Sequence, residues 1–263
     1  MQSSSRTPIL MYHSVRDVSP PGFDRFVVSR REFEKQMLFL KQGGYAAISI
    51  RDYVTRSATG CLDEKTVVLT FDDGFADFES AVLPRLCALD FTATLYVVSG
   101  LVGKTSEWLP AFGDRLALLD WAQISHAASL GIEIGAHTIT HPKLDILPRA
   151  VVRHEIRASR FCIEDHVGVN VRSFAYPFGF RDARTVNLVE ECGFESACAV
   201  RYSTSSSLEN VFDLPRHIVR GDMSIEEFER LVRGDPPRMR QAYDRARSQL
   251  GAIWRRTYRR VSI

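Results

Sequence analysis

Short apolar runs of the kind that form β-strands alternate with amphipathic segments along most of this chain. Several runs are rich in β-branched residues, as in the VVLTF sequence at 67–71, which is typical of strands buried on both faces. Seven strands are predicted: Pro8–His13, Tyr45–Ser49, Thr66–Asp72, Thr92–Ser99, Gly131–His137, Ser173–Pro177 and Glu195–Val200. Six helices are predicted: Arg31–Gln42, Asp77–Leu89, Trp121–Ser129, Pro148–His166, Ala183–Cys192 and Ser224–Val232. This alternation favours an α/β fold with a parallel sheet or barrel.

The composition is that of a globular protein. Of the 263 residues, 45% are hydrophobic and 25% are charged, which excludes wholesale disorder and fibrous repeats. The five cysteines are dispersed and form no Cys-x-x-Cys pair, so we expect reduced thiols in a reducing compartment. The first eight residues are polar, and no run of about 18 apolar residues occurs. We therefore expect neither a secretion signal nor a membrane-spanning helix, and a cytoplasmic location.

The last part of the chain differs from the rest. Residues 236–263 contain eight arginines and one acidic residue, Asp244, with apolar residues at steps of three and four. This pattern predicts a basic amphipathic helix that follows a main domain at residues 1–235. Packing on that domain, peripheral contact with anionic lipid at the inner face of the membrane, and contact with a partner protein are three hypotheses for its role. Nucleic acid is not expected as a partner, because the main domain is acidic and carries no recognition motif.

The most informative motif is TFDDG, in which an apolar strand runs directly into Asp72 and Asp73. In parallel α/β folds the carboxyl ends of the strands carry ligand-binding and catalytic groups. Adjacent carboxylates raise each other's pKa unless a positive charge compensates, and a metal ion would supply that charge. A turn that caps a helix is the structural alternative for the same sequence.

A second predicted strand also ends in polar residues, in the HTITH sequence that begins at His137 and ends at His141. Pro142 disfavours a helix here, so the two histidines would lie in a loop that can wrap around an ion. Two histidines and one carboxylate are a common open ligand set for a divalent metal. A non-haem iron oxygenase uses the same set, but the order of the ligands, with the aspartate first and a second acid beside it, argues against that alternative.

Two further strand ends belong to the same predicted rim. The FAYPFG sequence at 174–179 contains a proline and a glycine that favour a tight turn, and such a turn can point a backbone N–H towards a developing oxyanion. His13 ends the first predicted strand, in the MYHSV sequence at 11–15. A histidine of the core is the structural alternative for His13.

In this combination and order, the four motifs resemble those of the polysaccharide deacetylases, the NodB-homology domain of carbohydrate esterase family 4. The resemblance covers roughly residues 7–235, and the N-terminal position of MYHSV is similar to the circularly permuted subgroup typified by poly-N-acetylglucosamine deacetylases. It implies a single-domain distorted (β/α)7 barrel as the catalytic domain. It also implies a hydrolase that removes N-acetyl groups from an N-acetylhexosamine-containing glycan or glycan precursor. A non-catalytic glycan-binding module with the same fold is the alternative function.

The resemblance implies a metal site and names its ligands. Asp73, His137 and His141 would bind a divalent metal. Zn²⁺ is the expected ion, and Ni²⁺, Co²⁺ or Fe²⁺ would also suit two nitrogens and one oxygen.

Catalytic roles follow from the same resemblance. Asp72 would be the general base, and the N–H of Phe178 would contribute to the oxyanion hole. His13 would be the general acid, with His217 as the alternative acid.

The chain departs from the family pattern at Ala175, where the third motif usually carries an arginine that orients the base. Arg216 is the candidate substitute for that arginine. Tyr12, Tyr176 and Pro177 lie next to the motifs and are predicted to contact the sugar.

Overall fold

The fold is described from a computed structural model for residues 7–109, 115–200 and 210–234. The strands are β1 (Ile9–Tyr12), β2 (Ser14–Val15), β3 (Val27–Val28), β4 (Ala46–Ile48), β5 (Thr66–Phe71), β6 (Thr94–Val97), β7 (Glu133–Ala136), β8 (Ser173–Ala175), β9 (Ser196–Val200) and β10 (Leu214–Ile218). The helices are α1 (Arg30–Gln42), α2 (Ile50–Ala58), α3 (Leu83–Ala88), α4 (Trp121–Ser129), α5 (Arg149–Val167), α6 (Ala183–Glu191) and α7 (Ile225–Val232). A π-helical turn, Phe78–Val82, leads into α3.

Seven parallel strands close a barrel. Pairing runs from β5 through β6, β7, β8, β9 and β10 to β1, which closes the ring against β5. At the closure, Leu10 of β1 is in register with Leu69 of β5 on one side and with His217 of β10 on the other. The predicted (β/α)7 barrel is therefore confirmed.

The membership of the ring differs from the sequence prediction. All seven predicted strands form, but β4 pairs only with the first half of β5, beside the ring. The seventh strand of the ring is β10, which the sequence does not predict. Its LPRHI sequence contains a proline and two polar side chains that are buried, so it lacks the apolar pattern of a buried strand. The helix α2 is also absent from the prediction.

Side-chain caps fix where most of the helices begin. The side chain of the residue before the helix accepts a hydrogen bond from a backbone N–H of the first turn in α1, α2, α4, α6 and α7. Such caps contribute about 1 kcal/mol each. The capping residues are Ser29, Ser49, Asp120, Asp182 and Ser224. For α1, α4, α6 and α7 they explain why the predicted start lies within one residue of the observed one.

Alternation along the strands separates two apolar regions. Residues such as Leu69 and Phe174 face outwards and pack beneath the helices in the main core. Residues such as Val68 and Cys198 face inwards and fill the interior of the barrel. Because successive side chains point to opposite faces of a strand, this alternation decides which polar residues at the strand ends reach the rim of the barrel.

Three further sequence expectations concern the cysteines, membrane-spanning helices and the C-terminal segment. The five cysteines are free thiols, as expected. In the part of the chain that the structure describes, no helix is long and apolar enough to cross a bilayer. The helix predicted at 236–263 lies outside the described residues, so the boundary between it and the domain at 1–235 stays a prediction.

Candidate active site

Polar side chains gather at the carboxyl ends of the barrel strands. His13 directly follows β1, Asp72 and Asp73 follow β5, His137 follows β7, and Phe178 lies in the turn after β8. Since parallel strands point the same way, these ends meet at one rim of the barrel. The structure thus brings together residues that the sequence motifs place far apart along the chain.

Asp73, His137 and His141 form a buried cluster at this rim. The Oδ1 atom of Asp73 lies 3.4 Å from Nε2 of His137 and 3.2 Å from Nε2 of His141. All three side chains are buried, and their donor atoms lie within 4.8 Å of one another. Two metal–ligand bonds of about 2.1 Å at a tetrahedral angle hold their donor atoms about 3.4 Å apart. The chemistry and the spacing of these donors therefore fit one divalent metal ion.

A backbone contact orients the ring of His137. Its Nδ1 lies 2.7 Å from the carbonyl oxygen of Ala175. A carbonyl oxygen only accepts hydrogen bonds, so Nδ1 carries the proton and Nε2 presents its lone pair to the cluster. This is the usual arrangement of a histidine that binds a metal.

Electrostatics keep the cluster in its metal-binding form. Burial lowers the pKa of His141, although Asp73 opposes this effect, so the ring is neutral at neutral pH. Burial by itself raises the pKa of Asp73. The neighbouring His141 and His137 have a larger, opposite effect, so the pKa of Asp73 lies well below its usual range. Neutral imidazoles and an ionised carboxylate are the states in which these groups bind metals.

The backbone is strained at the site. Asp73, Thr138, His141 and Phe178 adopt left-handed conformations, with φ of 75°, 69°, 59° and 58°. Each such residue costs of the order of 1–3 kcal/mol and persists only where its surroundings hold it. Among the non-glycine residues that the structure describes, Asp90 is the one other case of positive φ. The strain is therefore concentrated around the cluster.

Arg216 of β10 holds Asp72 inside the barrel. Its Nη1 and Nη2 donate to Oδ1 and Oδ2 of Asp72 over 2.6 and 2.7 Å. Nη1 also donates to Oγ1 of Thr70, Nε donates to the carbonyl of Ala199, and the guanidinium lies 5.4 Å from the ring centre of Tyr96. Burial by itself raises the pKa of Asp72, but Arg216 lowers it below its ordinary value. The carboxylate is therefore ionised and fixed in orientation.

This contact bears on the departure at Ala175. The side chain of Ala175 is fully buried and faces the barrel interior, in the same cluster as Tyr96 and Cys198. The guanidinium that reaches Asp72 comes from β10 rather than from β8. Arg216 thus contacts Asp72 as a substitute for the missing arginine of the third motif would have to do.

His13 lies at the rim with a half-buried side chain. Its ring packs edge-on against Phe26, with 4.8 Å between the ring centres. Burial lowers the pKa of His13, and the nearby Asp73 and Asp72 act in the opposite direction. Its Nδ1 is buried with no hydrogen-bond partner among the described residues, so Nε2 is the nitrogen left to face a substrate.

His217, the alternative acid, does not reach the rim. It is in register with Leu10, an outward-facing residue of β1. Its strand neighbour Arg216 faces inwards, so His217 points away from the site. The side chain is buried, and burial lowers the pKa of His217 to about 4. Of the two histidines, the structure places only His13 beside the cluster.

The turn after β8 presents a backbone N–H. Gly179 donates to the carbonyl of Tyr176 and Phe180 donates to that of Pro177, so the N–H of Phe178 is outside the hydrogen bonds of the turn. Gly179 has φ of 72°, and a Cβ there would lie 2.7 Å from Cβ of Val200. Only glycine fits this position without a shift of the turn.

The ring of Phe178 places this turn against the cluster. Its centre lies 4.5 Å from that of His141, and the ring of Trp108 lies equally close on another side of the same histidine. Phe178 is 41% exposed, and Nζ of Lys143 lies 5.9 Å from its ring centre. Phe178 is thus an exposed aromatic surface next to the candidate metal site.

The structure places Tyr12 and Tyr176, two predicted sugar contacts, away from the rim. Both side chains are fully buried and face outwards, into the core beneath the helices. The hydroxyl of Tyr12 donates to Gln36, and that of Tyr176 donates to the carbonyl of Phe212. Alternation along β1 explains the first case, because Tyr12 precedes the inward-facing His13. Pro177 is buried as well, and it is the first residue of the turn after β8.

Asp77 is a site-supporting residue that the sequence analysis does not single out. It accepts hydrogen bonds from Oγ of Ser14 (2.5 Å) and from the N–H of Val15 (3.1 Å). These contacts fix the chain immediately after His13. Its position, four residues after Asp73, is a weak sequence signal, because an acid at the start of a helix is common.

Glu155 of α5 is a second such residue. It is buried, and it accepts hydrogen bonds from the loop between His137 and His141. The sequence does contain a signal for it. Glu155 falls between Val152 and Ile156 on the buried stripe of α5, and a carboxylate on such a stripe needs a partner.

Comparisons with known proteins agree with this geometry. The family profile described as Polysaccharide deacetylase matches residues 59–197. YxkH of Bacillus subtilis (strain 168) is 25% identical in an alignment of 230 positions that covers 86% of this chain and 76% of YxkH. The poly-beta-1,6-N-acetyl-D-glucosamine N-deacetylase of Escherichia coli (strain K12) is 26% identical in an alignment of 256 positions that covers 83% of this chain and 37% of that enzyme. Among solved structures, the Streptococcus pyogenes deacetylase PplD in complex with acetate matches with a TM-score of 0.75 and 26% identity, over 88% of this chain and 98% of PplD.

The matched profile spans the segments that build the cluster. Residues 59–197 contain both aspartates of the TFDDG motif, the two cluster histidines and the turn after β8. The profile covers more than half of the chain, and the barrel is shared with PplD over nearly the whole of that protein. The sequence resemblance, the geometry and the profile thus agree, and the chain belongs to the polysaccharide deacetylase family.

Proposed function

We propose that the protein is a metal-dependent N-deacetylase that hydrolyses acetamido groups of an N-acetylhexosamine-containing glycan or glycan precursor. The observation that carries the proposal is the buried cluster of Asp73, His137 and His141 beside a carboxylate, Asp72, that Arg216 holds in place. This arrangement combines a metal-ligand set that leaves coordination positions open with an ionised base at its edge. Together the two can hydrolyse an unactivated amide.

The three ligands would hold one divalent ion, with Zn²⁺ as the expected metal and Ni²⁺, Co²⁺ or Fe²⁺ as alternatives that suit the same donors. When bound, such an ion supplies polarisation of the acetyl carbonyl and lowers the pKa of a water molecule towards about 7. The remaining steps belong to side chains and backbone groups of the chain itself.

Asp72 acts as the general base. Its ionised carboxylate accepts a proton from the attacking water, while the two hydrogen bonds from Arg216 fix the plane of the carboxylate. The N–H of Phe178 is available to donate to the acetyl oxygen as negative charge develops there. A preorganised donor of this kind stabilises the tetrahedral transition state.

His13 acts as the general acid. In its protonated form it gives the proton on Nε2 to the leaving nitrogen, because its Nδ1 is buried. The acetamide and one water are thereby converted to acetate and a free amine. A histidine suits this step because its ordinary pKa lies near neutral pH, and the carboxylates of Asp73 and Asp72 oppose the lowering of the pKa of His13 by burial.

The comparisons favour a substrate that contains N-acetylglucosamine. The name of the E. coli relative specifies poly-beta-1,6-N-acetyl-D-glucosamine, and the PplD structure holds acetate, the expected product. This chain spans little more than a third of the E. coli enzyme. A screen for acetate release therefore has to include a polymer, a lipid-linked intermediate and a nucleotide sugar as substrates.

A screen for acetate release tests the proposal. The protein is stripped with a chelator, reloaded with Zn²⁺, Co²⁺ or Ni²⁺, and incubated with β-1,6-linked N-acetylglucosamine oligomers, a lipid-linked N-acetylhexosamine and a nucleotide-linked one. We expect equal amounts of acetate and free amine from at least one class, and none after chelation. If metal-loaded protein binds the oligomers but releases no acetate from any class, the chain is a glycan-binding module instead.

A further inference from the structure

The loop between the two cluster histidines is held by a carboxylate that touches neither of them. Oε2 of Glu155 accepts the N–H of Ile139 over 2.9 Å and the N–H of Thr140 over 3.0 Å. Oε1 of the same side chain accepts the hydroxyl of Thr140 over 2.8 Å. Glu155 is 8% exposed, so its charge is compensated mainly by these three donors.

The opposite side of the loop is held by backbone groups. The N–H of Ser99 donates to the carbonyl of Thr138 over 3.1 Å, and the N–H of Gly100 donates to that of Ile139 over 3.0 Å. The chain after β6 therefore satisfies the carbonyls of the loop, and Glu155 satisfies its amides. Without Glu155, two amides at the edge of the core lose their acceptors, which is costly for backbone groups away from water.

The loop needs this support because its conformation is unfavourable by itself. Thr138 and His141 both have positive φ, and a β-branched residue such as threonine rarely adopts it. The loop also determines where His141 lies, since the N–H of His141 donates to Oγ1 of Thr138. A change in the loop therefore moves one ligand of the cluster relative to the others.

We infer that Glu155 is a positioning residue of the metal site, which holds the loop so that Nε2 of His137 and Nε2 of His141 face the same oxygen of Asp73. The inference rests on the proposed function, because it assumes that the cluster binds a metal. Glu155 touches neither the metal ligands nor the base. Its effect is thus on metal affinity, through the geometry of the loop. Groups that orient metal ligands typically contribute 10- to 100-fold to affinity.

Metal titrations of four proteins test the inference: wild type, Glu155→Ala, Glu155→Gln and Glu164→Ala. Apo-protein is titrated with Co²⁺, followed by its visible absorption, and with Zn²⁺ against a competing chelator. Glu155→Ala removes all three acceptor contacts. Glu155→Gln keeps the two amide contacts through its carbonyl oxygen, and in the third contact its NH₂ group donates to the hydroxyl of Thr140.

Glu164→Ala is the matched control. Glu164 lies on the same helix and also accepts a backbone N–H, that of Val171, over 3.0 Å. It pairs with Arg160 rather than with the loop. Its removal therefore costs helix α5 a comparable set of contacts at a distance from the cluster.

We expect Glu155→Ala to bind Co²⁺ and Zn²⁺ about 10- to 100-fold more weakly than wild type, with an altered Co²⁺ spectrum. We expect Glu155→Gln and Glu164→Ala to bind close to wild type. If Glu155→Ala binds like wild type, or if it and Glu164→Ala weaken binding equally, the inference is wrong.

Two outcomes remain to be separated. If Glu155→Ala does not fold, Glu155→Asp takes its place, because the shorter side chain keeps the charge and draws it back from the loop. Weaker binding by Glu155→Asp supports the inference, and wild-type binding overturns it. If wild type itself binds no metal, the proposed function is wrong. The titration of wild type shows this independently of the Glu155 variants.

Discussion

Arg216 and Asp72 face each other inside the barrel through two parallel hydrogen bonds of 2.6 and 2.7 Å, although 144 residues separate them along the chain. Arg216 is fully buried and Asp72 nearly so. A bidentate pair of this kind fixes the plane of the carboxylate as well as its charge. The chain thus carries an arginine on the candidate base although Ala175 stands where the family motif usually has one.

Removal of this arginine is expected to impair both catalysis and stability. Arg216→Ala leaves Asp72 as a buried carboxylate with no cationic partner, which costs about 3–5 kcal/mol of unfolding free energy. The base also loses its fixed orientation, so we expect kcat for acetate release to fall by about 100-fold. Urea unfolding and initial rates of acetate release measure the two effects.

Two further variants make this prediction specific. Arg220→Ala removes an arginine whose partners, Asp222 and Glu227, lie outside the site, and we expect it to keep the wild-type kcat. In the double variant Ala175→Arg/Arg216→Ala the guanidinium returns to β8, and we expect part of the lost kcat to return. Wild-type kcat in Arg216→Ala would show that Asp72 needs no such partner.

The turn that presents the N–H of Phe178 gives a second prediction. Gly179→Ala places a Cβ 2.7 Å from Cβ of Val200, which forces the turn to move. Since the loss of one oxyanion donor costs about 100- to 1,000-fold in kcat, we expect a displaced donor to cost about 10- to 100-fold. Rates at saturating substrate and metal measure the effect.

Gly168→Ala is the control for backbone strain. Gly168 also has φ of 72°, but a Cβ at this position would have no other atom within 4 Å. Both variants place alanine in the left-handed region, and only Gly179→Ala adds a collision at the site. Equal kcat values for the two variants would show that the N–H of Phe178 does not contribute to the reaction.

The buried His217 predicts a pH dependence of stability. Burial lowers its pKa to about 4 in the folded protein, against about 6.5 in the unfolded chain. The unfolded chain therefore takes up the proton first as pH falls. The contribution of His217 is fully present above about pH 6.5 and is lost as the pH falls towards 4, with a total of about 3 kcal/mol.

Urea unfolding of metal-free wild type and His217→Leu across this pH range checks the prediction. We expect the wild type to lose more unfolding free energy than the variant between pH 7 and pH 4.5. Parallel curves for the two proteins would mean that His217 becomes protonated in the folded state as readily as in the unfolded one.

The sequence predicts the barrel and the cluster because both depend on local patterns. The apolar run of a strand such as β5 can be recognised in the sequence itself, and the TFDDG and HTITH motifs lie directly at strand ends. The side on which a residue lies is harder to predict. Tyr12 and His13 are adjacent, yet the side chain of Tyr12 packs in the core and that of His13 lies at the rim. Which side each of them faces depends on the register with the neighbouring strands.

The parts that the sequence does not predict depend on tertiary contacts. The strand β10 contains Arg216 as a buried residue, which is favourable because Asp72, at the end of β5, pairs with it. Glu155 resembles any acid of an amphipathic helix until the loop beside it is known. Such residues are recognisable as buried charges only after the fold has brought their partners together.

If Asp73, His137 and His141 hold one ion and the neighbouring Asp72 is the base, the two functions separate by mutation. Metal content and acetate release are measured together for wild type, Asp72→Asn and Asp73→Asn. We expect one metal per chain and acetate release for wild type, metal without acetate release for Asp72→Asn, and loss of both for Asp73→Asn. Wild-type acetate release by Asp72→Asn, or a full complement of metal in Asp73→Asn, would show that these roles are wrong.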